Sequence, residues 1–232
     1  MKKFLLMSAA ALLLTANLGA TTLGACPGTT NAQASVSDYE ALAQSGCMIG
    51  DKKFGDFLFA DQGLISGIAV INDGGQYGLA FFGSFGAPPT IAPKLAYSVQ
   101  VMDPNMVISQ ANFTVPFLNN QGGNIFLTEN FYSQVYANPF TSPAPGGTFL
   151  GSMPQPTCAN GSCLASLAFD PGVTFLYAVK DLSLRASDGN SISFSVFTQS
   201  YEQVGNQVPE PGTYALMGAG LIGLAFLRRR KA

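Results

Sequence analysis

The chain has 232 residues, of which 47% are hydrophobic and 10% charged, and it contains no histidine and no tryptophan. The absence of histidine excludes Ser-His-Asp and Cys-His catalytic arrangements and most protein metal sites. Between Cys26 and Gln207 five cations stand against twelve carboxylates, so this stretch carries a net charge of −7 and would repel nucleic acid phosphates. We therefore expect no nucleic acid partner, no metal and no cofactor.

The N-terminus has the pattern of a secretory signal peptide. Two lysines in Met1–Lys3 precede the apolar run Phe4–Leu14, which is the usual order of charged and hydrophobic regions in such peptides. We predict a signal peptide over residues 1–25, with the cleavage site open between 20 and 34. Cleavage after Ala20, cleavage after Ala34 and a lipid on Cys26 remain alternatives.

The four cysteines of an exported chain predict disulfide bonds rather than metal ligands or nucleophiles. Three pairings exist, and we favour Cys26–Cys47 with Cys158–Cys163, because an Asn-Gly turn between the last two would bring them together. Cleavage after Ala34 would remove Cys26 and leave Cys47 unpaired. The pairing therefore favours an earlier cut.

The first predicted element of the mature body is a short helix. Ser37–Glu40 has the S-x-x-E form of a capping box, and Gly46 is placed to end the helix. The spacing of Phe54, Phe57 and Phe59 then predicts a turn that enters a strand.

From residue 64 onward short β-type runs alternate with turn residues. This spacing predicts an all-β fold, an antiparallel two-sheet β-sandwich of the jelly-roll type, over residues 26–204. The proline-rich segment Thr141–Pro156 is predicted to be a long loop. The eight predicted strands are Leu64–Ile71, Gln76–Gly83, Lys94–Met102, Met106–Val115, Asn124–Ala137, Cys163–Phe169, Thr174–Leu184 and Ile192–Tyr201.

No sequence motif of an enzyme is present. The chain lacks G-x-S-x-G, S-x-x-K, the phosphate-binding loop and the EF-hand loop. We therefore predict no catalytic activity. A polysaccharide-acting hydrolase remains an alternative, because it needs only two carboxyl groups that converge to within about 5–10 Å in space.

A second alternative is a carbohydrate-binding or adhesion module. Strand alternation through Asn124–Ala137 would place Tyr132, Gln134 and Tyr136 on one face. Such a face suits stacking on a sugar and hydrogen bonding to it. The simpler interpretation is that the two tyrosines cover a sheet face with their hydroxyls in water.

The C-terminus has three parts in a fixed order. Val208, Pro209, Glu210 and Pro211 form a stiff linker, the uncharged run Ala215–Leu227 follows, and the chain closes with Arg228, Arg229, Arg230 and Lys231. Prolines separate the apolar run from the body, and the basic cluster would stay on the cytoplasmic side of a membrane. We predict a linker, a hydrophobic helix and a basic stop over residues 205–232.

This C-terminal arrangement resembles the PEP-CTERM sorting signal. The resemblance implies recognition of Val208 to Pro211 by an exosortase, a membrane-embedded protease or transpeptidase of bacteria that make exopolysaccharide. Gly46–Phe57 also resembles the N-terminal segment of a group of exported PEP-CTERM proteins, read as Gly-Cys-x-Ile-Gly-Asp-Lys-x-Phe, and implies no activity.

Together these features predict an exported protein of a Gram-negative bacterium. We expect Sec-dependent export, an inner-membrane-anchored precursor held by the C-terminal helix, and delivery to the cell surface or extracellular matrix. Exopolysaccharide is the expected partner there besides the exosortase.

Overall fold

The fold is all-β, with two antiparallel sheets. A computed structural model describes residues 23–29, 32–60, 62–87, 93–137, 139–140, 147–186 and 190–205. These contain α1 (Val36–Ala41), a 3-10 helix (Gln62–Leu64) and the strands β1 (Cys47–Ile49), β2 (Lys52–Ala60), β3 (Ile65–Asp73), β4 (Gln76–Ala87), β5 (Lys94–Val101), β6 (Met106–Val115), β7 (Asn119–Gln121), β8 (Asn124–Tyr132), β9 (Phe149–Ser152), β10 (Thr157–Ala159), β11 (Ser162–Val173), β12 (Phe175–Arg185) and β13 (Ser191–Gly205).

The two sheets form the predicted sandwich. Sheet I has the strand order β1-β2-β5-β12-β8-β9, and sheet II has the order β10-β11-β6-β13-β4-β3, with β7 pairing with β13. From β4 onward the long strands alternate between the sheets, so consecutive long strands lie in opposite layers. This confirms the prediction of an all-β antiparallel sandwich.

The core between the sheets is rich in aromatic side chains. Phe54 of sheet I lies 6.3 Å from Tyr97 of the same sheet and 6.2 Å from Tyr201 of sheet II, measured between ring centroids. Within sheet II, Phe81 and Phe197 are stacked at 5.0 Å. All five rings are fully buried. Complete burial of one such side chain contributes about 1.5–3 kcal/mol relative to exposure.

The predicted strands agree with the structure except in one region. Met106–Val115 has the predicted bounds, and most other strands differ from prediction by a few residues at their ends. The strand predicted to reach Ala137 instead ends at Tyr132, and β9 lies inside the loop predicted over Thr141–Pro156. Phe149–Ser152 contains no proline, so its backbone is free to pair with the edge of β8.

The helix forms where predicted, but its N-cap is Ser35 rather than Ser37. The Ser35 hydroxyl accepts a hydrogen bond from the Asp38 amide at 3.2 Å, and the Asp38 carboxylate accepts one from the Ser35 amide at 2.8 Å. Aspartate thus takes the position usually held by glutamate in a capping box. The spacing Ser37–Glu40 matched the motif by coincidence.

Both predicted disulfides are present, Cys26–Cys47 and Cys158–Cys163. Cys158 lies directly opposite Cys163 in the hairpin of β10 and β11. The turn between these strands is Asn160-Gly161, with positive φ at both residues, as the sequence predicted.

Several predictions fall outside the described residues. These are most of the signal peptide, residues 141–146 of the predicted loop and the whole sorting tail from residue 206. Within the part of the chain that the structure describes, no helix combines the length and apolar character required to cross a bilayer.

Candidate functional site

An aromatic cluster lies on the outer face of sheet I, and it includes two of the three predicted sugar-binding residues. Tyr132 stands directly opposite Tyr177 on one side and Phe149 on the other, so the three rings share one face. The Tyr132 ring lies 5.8 Å from that of Phe149. Phe149 is 56% exposed, whereas Tyr177 is buried. We call Tyr132, Tyr136, Phe149 and Tyr177 the aromatic cluster.

Tyr136 joins this cluster although it lies beyond the end of β8. Its ring makes edge contacts with Tyr132 at 5.0 Å and with Tyr177 at 5.9 Å. Its hydroxyl is buried without a hydrogen-bond partner, close to the backbone of Gly147. Gln134 is exposed in the irregular segment between the two tyrosines. The predicted alternation thus fails after Tyr132, where β8 ends. The two tyrosine rings still meet, because Tyr136 packs against Tyr132 and Tyr177 from the irregular segment beyond β8.

Tyr132 and Tyr177 are cross-strand neighbours, and the line of such neighbours continues from β12 across β5 to β2 with polar residues. Ser98 lies opposite both Tyr177 and Gly55. Its hydroxyl donates to the Asp56 carboxylate at 2.6 Å, and Asp56 sits at a β-bulge with a φ of 53°. Burial is the main factor that raises the pKa of Tyr177, and the charge of Asp56 adds to it.

A polar groove of about 720 Å³ lies on the outer face of sheet II. Glu202 on β13 accepts hydrogen bonds from the Gln76 amide at 3.1 Å and from the Asn112 amide at 2.9 Å. Glu202 is the one carboxylate among the residues that line the groove. The arrangement offers amides and hydroxyls to a ligand, without a second acid for hydrolysis.

The third feature is a polar cluster inside the core, which we call the core triad: Glu129, Lys180 and Gln199. Lys180 Nζ donates to Glu129 Oε2 at 2.5 Å and to Gln199 Oε1 at 2.8 Å. Lys180 and Gln199 are 0% exposed, and Glu129 is 1% exposed. The Lys180 ammonium also lies over the ring of Phe113, 4.6 Å from its centroid. One cation, one carboxyl and one amide therefore share a dry site between the sheets.

Burial governs the acid-base properties of the core triad. It raises the pKa of the Glu129 carboxyl, an effect that the neighbouring Lys180 opposes. Burial lowers the pKa of Lys180, and the neighbouring Glu129 opposes this shift. Nearby, Tyr201 donates to Tyr97 at 3.0 Å, and burial raises the pKa of both hydroxyls. Burial therefore disfavours the charged form of each titratable group here, namely Glu129, Lys180 and the two tyrosines.

Lys52 makes a comparable contact nearer the surface. Its Nζ donates to Gln203 Oε1 and to Asp51 Oδ1, the latter at 3.2 Å, and lies 3.9 Å from the centroid of the Tyr77 ring. The Lys52 side chain is buried, but that of Asp51 is 26% exposed. The Asp51 side chain is therefore partly open to solvent, unlike that of Glu129, although Asp51 Oδ2 is buried without a hydrogen-bond partner.

Sequence reasoning missed the core triad, although a signal was present. Strand alternation puts Glu129, Lys180 and Gln199 each between two buried apolar residues at positions that point into the core. Polar residues at inward strand positions require a partner inside the fold. Which partners meet depends on the strand order, which local patterns do not give. No group of three or more acidic or cysteine side chains within the described ranges is arranged to hold a metal ion.

The two disulfides and the two antiparallel sheets define the class of protein: a disulfide-bonded β-sandwich. Residues 207–231 match the family model described as the PEP-CTERM protein-sorting motif. The chain therefore carries this sorting signal, which marks an exported protein that passes through a membrane-anchored precursor and is sorted by an exosortase to the cell surface. The predicted box Val208 to Pro211 and the basic residues 228–231 lie within the match.

Other comparisons add little. No curated protein matches the chain. One solved structure, titled "Complete structure of manganese lipoxygenase of Gaeumannomyces graminis and partial structure of zonadhesin of Komagataella pastoris", is 10% identical over 69% of this chain and 65% of that chain, with a TM-score of 0.24. The match thus covers less than two thirds of that chain, and at this TM-score it supports no argument.

Proposed function

We propose that this protein is a non-catalytic component of the cell surface or exopolysaccharide matrix of a Gram-negative bacterium, exported by the Sec pathway. The observation that carries the proposal is the sorting motif at residues 207–231, attached to an acidic sandwich with two disulfides. Disulfides persist in oxidising compartments, and the negative body suits an extracellular setting in which it stays soluble.

Three surface cavities formed by described residues are lined by few carboxylates. The groove on sheet II has one carboxylate in its lining, and a second cavity, near Phe117, has none. A third cavity, near Cys26, contains Asp73 alone among acidic residues. A glycosidase requires a pair of carboxyl groups across its cleft. A structural or binding role fits these linings better.

Processing and localisation of the full chain test the sorting part of the proposal. Pro209→Ala/Pro211→Ala should abolish removal of the tail and leave a membrane-bound precursor, as seen by cell fractionation and intact mass. Gln100→Ala, an exposed change on sheet I, is the matched control and should be processed normally. Normal processing of the double variant, or wild-type protein retained in the cytoplasm, would contradict the proposal.

The non-catalytic part requires a separate measurement. Purified protein is incubated with the exopolysaccharide of the producing strain, and new reducing ends are counted over time. We expect no release above the buffer control. A release that grows with protein concentration would establish the hydrolase alternative instead.

A second candidate function is carbohydrate binding at the aromatic cluster. Phe149 is exposed and Tyr132 half-buried at the edge of sheet I, and Gln134 is exposed two residues beyond Tyr132. Aromatic faces with nearby amides and hydroxyls suit stacking on the apolar face of a sugar ring. The observation that favours this candidate is the solvent-exposed position of Phe149 next to Tyr132.

Polysaccharide pull-down with the exported protein tests this candidate. Tyr132→Ala and Phe149→Ala should each weaken binding at least several-fold. The control is Phe117→Ala, which removes another highly exposed ring outside the cluster and should leave binding unchanged. Equal binding by all variants would remove the aromatic cluster from consideration.

A further inference from the structure

The core triad leaves buried polar atoms without partners. Glu129 Oε1 and Gln199 Nε2 are both inaccessible and make no hydrogen bond. A buried ion pair is stable only when its remaining donors and acceptors are satisfied. As a static salt bridge the core triad is therefore incomplete, and the unpaired atoms belong to the two groups that contact Lys180.

The core triad has the composition of a reaction site. A neutral lysine amine is a nucleophile, an amide carbon is an electrophile, and a carboxyl group transfers protons between them. The hydrogen bond from Lys180 Nζ to Gln199 Oε1 places the amine beside the carbonyl oxygen of the amide that it would attack. The hydrogen bond to Glu129 Oε2 places the proton acceptor on the same amine.

Burial prepares the lysine for this chemistry. Because the core disfavours both charges, the pKa of Lys180 is lowered while that of Glu129 is raised. Transfer of one proton along the 2.5 Å hydrogen bond converts the ion pair into a neutral amine and a neutral acid. The low-dielectric surroundings favour the neutral pair relative to water.

We propose that Lys180 and Gln199 form an intramolecular isopeptide bond, with Glu129 as the proton-transfer group. The Lys180 Nζ lone pair attacks Gln199 Cδ, and the neutral Glu129 carboxyl gives its proton to Gln199 Nε2. The Cδ–Nε2 bond then breaks, ammonia leaves, and the Glu129 carboxylate takes a proton from the Lys180 nitrogen. The amine and the primary amide become a secondary amide and one ammonia, with no change in oxidation state.

This bond joins the two layers of the sandwich. Lys180 belongs to β12 in the middle of sheet I, and Gln199 belongs to β13 in the middle of sheet II. The disulfides leave these layers unlinked at the centre, because Cys26–Cys47 fastens the N-terminal segment and Cys158–Cys163 lies within one hairpin. A central covalent link resists separation of the sheets, which benefits a protein outside the cell.

Lys52 provides an internal comparison. It also contacts a glutamine oxygen, that of Gln203, and a carboxylate, that of Asp51. The Asp51 side chain is 26% exposed, whereas that of Glu129 has no exposure, so the core encloses both charged groups only in the Lys180 pair. We therefore expect a free amine at Lys52 and an amide at Lys180.

Peptide mass spectrometry of the wild-type exported protein is the decisive test. The protein is reduced and alkylated, digested with trypsin and chymotrypsin, and fragmented. We expect a branched peptide that joins Lys180 to Gln199 and is lighter by one ammonia than the sum of its parts, with no tryptic cleavage after Lys180. Localisation to this peptide separates the bond from succinimide formation at Asn160-Gly161, which has the same mass change.

The outcomes against the proposal are also defined. Unmodified Lys180 in wild-type protein would overturn it, and so would a peptide lighter by one water that joins Lys180 to Glu129. Lys180→Met and Glu129→Gln should both lack the branched peptide. If these variants fail to fold, the wild-type measurement alone still decides, because it requires no substitution.

Discussion

Lys180 lies directly opposite Glu129 on adjacent strands of sheet I, and neither side chain reaches solvent. Removing one member of such a pair leaves an uncompensated buried group, which costs about 3–5 kcal/mol. Lys180→Met alone should therefore lower the free energy of unfolding by at least that amount, because it also removes the proposed bond to Gln199. Lys180→Met/Glu129→Leu replaces both groups by apolar ones and should be more stable than the single variant. Guanidinium denaturation under oxidising conditions measures both, and a double variant no more stable than the single one would contradict this account.

The helix cap predicts a difference between two neighbouring serines. Ser35→Ala removes the N-cap hydroxyl of α1 and should destabilise the protein by about 0.5–2 kcal/mol. Ser37→Ala is the matched control, because Ser37 contacts the cap hydroxyl without capping the helix itself, and it should cost less. An equal loss in both variants, measured by thermal denaturation, would be inconsistent with the cap at Ser35.

The same cap predicts a pH effect of known sign. Hydrogen bonds from the hydroxyl and the amide of Ser35 lower the pKa of Asp38. A carboxyl whose pKa is lowered in the folded state stabilises the helix at pH values above its ordinary pKa. This contribution is lost as the pH falls through the folded-state pKa. NMR titration should place the pKa of Asp38 below the ordinary range and show a rise toward it in Ser35→Ala. An unchanged pKa of Asp38 in that variant would show that the Ser35 hydroxyl does not cause the lowered pKa.

The two disulfides should contribute unequally to stability. Cys26 and Cys47 are 21 positions apart, and Cys158 and Cys163 only 5. In the chain-entropy model the longer loop contributes about 3 kcal/mol and the shorter about 2 kcal/mol. Paired Cys→Ala substitutions at each bridge, compared by urea denaturation, should reproduce this order. The reverse order would indicate that native contacts, rather than loop closure, dominate.

Two glycines on β4 offer a matched test of packing in sheet II. A Cβ at Gly78 would lie 2.0 Å from the Gln199 carbonyl oxygen, whereas one at Gly86 would lie 3.6 Å from the nearest atom, the Ser193 Cβ. Gly78→Ala should therefore cost about 1–3 kcal/mol, as overpacking of a rigid site does. Gly86→Ala should be nearly neutral. Similar unfolding midpoints for the two variants would show that the backbone near Gln199 yields easily.

The sequence predicted most of the fold because its signals are local. Alternation of apolar and polar residues identified the long strands, and the Asn160-Gly161 turn identified the second disulfide. The errors also have local causes. A high density of proline concealed Phe149–Ser152, and two serines at suitable spacing competed for the cap, which the contact with Asp38 decides in favour of Ser35.

The candidate sites were harder to predict from the sequence than the fold, because they depend on strand order. Tyr132 and Tyr136 were identified, but Phe149 and Tyr177 join them only through pairing of β8 with β9 and β12. Glu129, Lys180 and Gln199 come from three strands in two sheets. Sequence alternation shows that each of them points inward, yet no pattern along the chain tells which residues meet there.

The last described strand, β13, is also the longest, and it lies between β4 and β6 in sheet II. Sheet II therefore lacks its central strand until the final residues before the sorting tail are available for pairing. A nascent or translocating chain that lacks them keeps β3–β4 and β6 apart and cannot complete the sandwich. This topology makes completion of the sandwich depend on the last part of the body.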